Sequence, residues 1–138
     1  MRTVIVGCGR VGARLASQLD RDGHDVAIVE VNEEAFRRLD PGFRGTTVIG
    51  TGIDEDVLIE AGIELADAFV SVTNGDNRNI MAAQVARERF AVSSVVCRIY
   101  DPIRAETYRS LGYTTICPTT EIADRVLSEL LPTSERTR

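Results

Sequence analysis

The sequence predicts an α/β fold, a doubly wound parallel sheet of six strands in the order 3-2-1-4-5-6 followed by a C-terminal helix. Three observations carry that expectation. Short apolar runs alternate six times with amphipathic stretches. Most of the runs are nearly continuously apolar, as strands covered on both faces of a parallel sheet must be. Three spaced glycines join the first run to the first helical stretch, and right-handed crossovers then order the strands.

The elements follow in turn. Thr3–Val6 is the first strand, entered at once from the N-terminus, so no signal peptide is expected. Arg10–Arg21 is helical, with Val11, Leu15, Ala16 and Leu19 on one stripe. The second strand, Val26–Glu30, is rich in branched residues, and Glu33–Leu39 leads from it to the third, Thr46–Ile49. Asp54–Ala61 is the next helix, and Ala68–Thr73 the fourth strand. Asn77–Phe90 and Pro102–Leu111, the latter opened by proline in its first turn, flank the fifth strand, Ser94–Arg98. Thr114–Cys117 is the sixth. In the last helix, Thr120–Leu131, residues Ile122, Ala123, Val126, Leu127, Leu130 and Leu131 cover a wide apolar arc. That arc either caps its own sheet or packs against a partner subunit. One domain is expected over residues 1–131, with a tail over 132–138.

Composition narrows the function. The 138 residues carry a net charge of −5, which argues against a nucleic-acid partner held by a broad basic surface. Lysine is absent and all sixteen cationic side chains are arginine, so lysine-based catalysis and a Walker lysine are excluded. The three cysteines, Cys8, Cys97 and Cys117, show no metal-ligand or redox-pair spacing and read as small buried apolar residues of a reducing cytoplasm. No apolar run approaches the ~20 residues of a membrane span.

The chemistry-bearing residues gather at the carboxyl ends of the strands. "GCGRVG" places Gly7, Gly9 and Gly12 in G-x-G-x-x-G spacing, with Cys8, Arg10 and Val11 between them. Gly7 serves the tight turn, Gly9 the approach of a pyrophosphate, and Gly12 close packing of helix on strand. The helix N-terminus favours an anion there. Glu30, with Val31 beyond it, ends the second strand where a carboxylate accepts from ribose hydroxyls. Its charge favours NAD or an adenosine nucleotide over a 2′-phosphate, and Arg37 and Arg38 read as a solvated helix face, with an answer to a 2′-phosphate the alternative. Arg10 is expected to reach the terminal phosphates. "IGTGID" puts Gly50, Thr51 and Gly52 beside the adenine, and "TNGDNRN" turns Thr73, Asn74, Asp76 and Asn79 toward the phosphate–ribose side, with helix capping the alternative for Asp76. Arg98, ending the fifth strand, calls for an anion or a carboxylate. His24 lies in the turn before the second strand, at the wrong end of the sheet for acid–base work on such a ligand. The pocket is equipped to hold a ligand and not to transform it. A small NAD-dependent oxidoreductase and a redox-sensing repressor domain are the alternatives.

Four stretches, "VIVGCGRVG", "VAIVEVNEEAFRRL", "VIGTGIDEDVLIEAGIELADAFVSVTNGDNRNIMAAQVAR" and "RIYDPIRAETYRSLGYTTICPT", resemble the KTN/RCK nucleotide-binding domain of TrkA-type potassium-transport regulators. The resemblance implies a Rossmann-like domain that binds NAD(H) or ATP/ADP as a regulatory ligand. It implies dimers or rings of dimers, or pairing with a paralogous regulator, on a membrane potassium channel or transporter, hence a cytoplasmic place at the inner membrane. In such domains the positions matching Gly7, Gly9, Arg10, Gly12, Glu30, Thr73, Asp76 and Arg98 line the site, and the last helix crosses to the neighbouring subunit. This chain departs at Thr51, where many members have aspartate, and at Thr119, where some ATP-responsive members have glutamate. Full-length regulators commonly add a second ligand-binding domain.

Overall fold

The computed structural model describes residues 1–132 and 134. In chain order the elements are β1 (Arg2–Val6), α1 (Arg10–Arg21), β2 (Asp25–Glu30), a 3-10 helix (Glu33–Arg38), β3 (Thr46–Ile49), α2 (Glu55–Glu60), a 3-10 turn (Ile63–Leu65), β4 (Ala68–Ser71), α3 (Asp76–Gln84), a π-helical turn (Val85–Arg89), β5 (Ser94–Arg98), α4 (Pro102–Ser110), β6 (Thr114–Ile116) and α5 (Pro118–Leu130). The strands form one six-stranded parallel sheet in the order β3-β2-β1-β4-β5-β6. This is the expected doubly wound topology, with β1 central and its neighbours β2 and β4 reached by opposite crossovers.

Strand alternation divides the core in two. Val4 and Val6 pack with Val29, Leu58, Phe69, Ile80 and Ala105, beneath α2, α3 and α4. Ile5, between them, points the other way, to Ile28, Ala13, Ala16 and Ala35 beneath α1 and the Glu33–Arg38 helix. Helix starts are set by short polar side chains that accept from the first free amides: Asn32 from Glu34 N (3.2 Å), Asp54 from Asp56 N (2.9 Å) and Asp101 from Ile103 N (3.0 Å).

Four details differ from the sequence expectation. In α1 the buried residues are Gly12, Ala13, Ala16 and Ser17, whereas Val11 is 52% exposed. The helix backs onto the glycine turn through Gly12, so its smallest side chains face the sheet and the stripe is rotated. β4 stops at Ser71 because Thr73 N donates to the Asn79 side chain (2.8 Å) instead of to a neighbouring strand. The segment after β2 winds as a 3-10 helix, and the stretch after β4 widens into a π-helical turn from Val85.

α5 begins at Pro118 and buries no residue; Ile122 is 63% and Leu130 72% exposed. The sheet face opposite α4 is correspondingly bare, with Val96 half-buried and Ile116 exposed. Of the two expectations for the last helix, folding over its own sheet is therefore not met. Of the expected tail, residues 133 and 135–138 lie outside the described residues. No helix among the described residues is long and apolar enough to cross a membrane.

Candidate functional site

The carboxyl ends of β1, β2, β3 and β4 enclose a cleft of about 350 Å³ at the point where the strand order reverses. Its floor is the glycine turn. Gly7 has φ +109°, and an added Cβ would stand 2.9 Å from the carbonyl of Val72 and from Thr73 N, so only glycine lets β1 turn beside β4. An added Cβ on Gly12 would fall inside the van der Waals envelope of Gly7 O. Gly9 differs from both: nothing lies within 4 Å of the place its Cβ would take. Gly9 is also the N-cap of α1, with no capping side chain and no acid in the first helical turn. The positive end of a 12-residue helix therefore opens into free space above Gly9.

Glu30 forms the wall beside that turn. Its Oε1 accepts from Cys8 N (2.8 Å) and its Oε2 from Asn32 N (3.0 Å), so the acid holds the glycine loop in shape. Each carboxylate oxygen retains a second acceptor direction for a ligand hydroxyl. The Cys8 thiol is buried and donates to Ala35 O (3.2 Å). Burial first, and then the Glu30 charge, push its pKa from 9.0 to about 11, against the opposing pull of Arg38. It is a neutral packing group, not a nucleophile.

The third corner is built on two close approaches, Gly50 against Val57 and Gly52 against Val6, which leave Thr51 exposed on the cleft wall. At the fourth corner Thr73 and Asn74 line the opposite wall. The structure thus brings Gly7, Cys8, Gly9, Glu30, Val31, Gly50, Thr51, Gly52, Thr73 and Asn74 to one cleft.

It places the other expected residues elsewhere. Gly12 and Val11 sit behind the turn and on the outer face of α1. Arg10 lies in a neighbouring surface groove with Arg14, Arg38 and Asp40. Asp76 does not cap its own helix: its two oxygens accept from Tyr100 N (2.8 Å) and Asp101 N (3.1 Å), pinning the turn after β5. Asn79 is completely buried and donates to Thr73 O (3.0 Å) and Arg98 O (2.9 Å) while accepting from Thr73 N and Thr73 Oγ1. Arg98 forms no ion pair with a carboxylate among the described residues. Its Nη2 donates to Val72 O (2.8 Å) and Thr73 O (2.9 Å), its ring partner is Tyr100, and its Nε is buried without a partner. These three side chains hold the fourth corner in place from behind.

Among the cleft residues that the sequence reading did not nominate for the site, two are charged, Arg38 and Arg78. Arg38 departs from the solvated face expected of it: the 3-10 helix turns every three residues, so it follows Ala35 onto the cleft side and donates to Cys8 O (3.3 Å). Arg78 stands in the first turn of α3, which always opens toward the carboxyl edge; that position was the available signal. Glu30 is the sole carboxylate among the described cleft-lining residues, against two guanidinium groups, in a chain of net charge −5. His24 lies at the opposite end of the sheet, with the Met1 amino group 3.3 Å from its Nδ1. No group of three or more His, Cys, Asp or Glu suited to a metal occurs among the described residues.

Comparison with known proteins agrees with this fold. Residues 3–119 match the TrkA-N domain. A Trk system potassium uptake protein TrkA of Streptomyces coelicolor is 52% identical over 132 residues, which cover 96% of this chain and 59% of that protein. Among solved structures, a Kef C-terminal domain of Shewanella denitrificans in AMP-bound form superposes with TM-score 0.79 at 20% identity, covering 97% of this chain and 84% of that one. The GsuK channel bound to NAD superposes with TM-score 0.72 at 21% identity, over 91% of this chain and 23% of the channel. At these identities the two structures are likenesses of fold.

Proposed function

This chain belongs to the TrkA-N domain family, and from that premise we propose that it is a nucleotide-sensing regulatory domain of a potassium-uptake system, not an enzyme. It holds NAD(H) or ATP/ADP in the cleft, with the residues that line it as the binding set and residues 1–131 as one ligand-binding unit. The observation that carries the reading is the open space over Gly9 at an uncapped helix N-terminus, flanked by Glu30. A diphosphate accepts from the free amides of α1 while the ribose donates to the Glu30 carboxylate. Adenine then lies toward Gly50–Gly52. The AMP and NAD held by the two fold neighbours support a nucleotide of this kind.

Among the described residues near the cleft none supplies an acid–base pair for hydride transfer: His24 is at the far edge and the Cys8 thiol stays protonated. Ligand binding instead shifts the balance between arrangements of paired domains, which a membrane potassium transporter or channel subunit reads from the cytoplasmic side. The uncovered apolar face of α5 supplies the pairing surface for a second copy or a paralogous regulator. A tenfold affinity difference between two arrangements biases them by about 1.4 kcal/mol.

The test is a thermal-shift panel of NAD, NADH, ATP and ADP. Ligand at a hundred times its dissociation constant stabilises by about 2.7 kcal/mol, or roughly ten degrees in a domain of this size. Flat melting temperatures across all four nucleotides would remove the proposal.

A further inference from the structure

Arg78 is a charged side chain at the mouth of the cleft with nothing to neutralise it. It lines both the cleft and the shallower groove of Asp76, Tyr100 and Arg104, and its Nε lies 2.9 Å from where a Cβ on Gly75 would be. Among the described residues it has no hydrogen-bond or ion-pair partner. Its sequence neighbour Asp76 forms no ion pair with it; the Asp76 carboxylate turns to the Tyr100 and Asp101 amides. Arg104 turns the other way, to Asn77 Oδ1 (2.6 Å).

The strand order says which part of a ligand would arrive there. β2 and β3 lie on one side of β1, and β4 on the other. Glu30 and Thr51 therefore form one end of the cleft, Thr73 and Arg78 the other, and the α1 N-terminus lies between. With the ribose at Glu30 and the first phosphate over Gly9, whatever follows that phosphate extends toward Arg78. A guanidinium is a fixed, permanently charged donor fork that matches phosphate oxygens.

We propose that Arg78 is a specificity-determining contact for the distal phosphate of a nucleoside di- or triphosphate. It selects such ligands over AMP, which ends too soon. The proposal rests on the nucleotide reading of the cleft, and the two are separable by experiment.

Isothermal titration of the wild-type chain, Arg78→Ala, Arg78→Lys and the control Arg104→Ala against AMP, ADP, ATP and NAD, in magnesium-free buffer, provides the test. Arg78→Ala is expected to weaken ADP and ATP about tenfold, the loss of one charge-assisted contact, with AMP changed by less than about twofold. Arg78→Lys recovers part of that loss, and Arg104→Ala leaves every affinity as it was. Unchanged ADP and ATP affinities in Arg78→Ala overturn the assignment while leaving the nucleotide cleft intact, as does an equal loss for all four ligands. If the wild-type chain binds none of the four, the cleft reading falls and this contact with it.

Discussion

Gly9 and Gly12 are three residues apart in one motif, yet the structure assigns them opposite sensitivities. A methyl group on Gly9 meets nothing within 4 Å, and its φ of −81° is one that alanine adopts freely. Only the N-cap preference is lost, worth up to about 1 kcal/mol. A methyl group on Gly12 collides with Gly7 O, a backbone atom already committed by the Gly7 turn. Overpacking of that kind costs roughly 1–3 kcal/mol or more, because neither side can rotate away. The gain in helix propensity returns about 1 kcal/mol. Gly12→Ala should thus melt up to about ten degrees below the wild type, and Gly9→Ala within about three. The ligand response should run the other way in Gly9→Ala. Its methyl group fills the space assigned to the pyrophosphate, so saturating nucleotide should raise its melting temperature hardly at all. Differential scanning fluorimetry with and without nucleotide reads both quantities at once. A Gly9→Ala variant with the full wild-type ligand shift would refute the placement of the phosphates, and a Gly12→Ala variant as stable as wild type would refute the packing role.

Asn79→Leu should lower stability by about 2–4 kcal/mol in urea denaturation, since it strips donors or acceptors from Thr73 and Arg98 in a fully buried position. Cys8 gives a pH prediction: its pKa rises from 9.0 to about 11 on folding, so the folded chain holds the proton more tightly. The resulting stabilisation is complete below pH 9 and is lost as pH climbs toward 11, visible as a falling midpoint in alkaline denaturation series. For the same reason iodoacetamide at pH 8 should label Cys8 only after unfolding, as peptide mass spectrometry would record. Leu130→Glu, on the 72%-exposed rim of α5, should shift sedimentation toward monomer with the melting temperature little changed, whereas unaltered self-association would exclude α5 as the pairing surface.

Much of this protein is written locally. Six apolar runs and the helical stretches between them are visible as periodicity, because strand and helix each repeat along the chain itself. The glycine spacing is legible for a similar reason: Gly7 needs a left-handed turn wherever β1 meets α1, and Gly12 needs contact within the same unit. The family resemblance and the end of the sheet at which the cleft opens follow from those patterns. Element ends were less legible. β4 ends two residues early because, although Val72 N still donates to Val6 O, the Asn79 side chain takes the Thr73 amide.

What the sequence alone determined, then, is the winding of the chain and the place of the cleft, since both depend on neighbours in sequence. Which polar side chains enter that cleft was decided only by tertiary structure. Asp76 sits at the fourth corner, where its carboxylate accepts from an amide 24 residues away and so braces the turn after β5. Arg98 is claimed by carbonyls of the turn after β4, and Asn79 by the backbone ends of two strands. Arg38 faces the cleft through the winding of a short helix, and Arg78 stands there with no partner among the described residues. A buried polar group must find a partner, and the chain's path in space chooses which one.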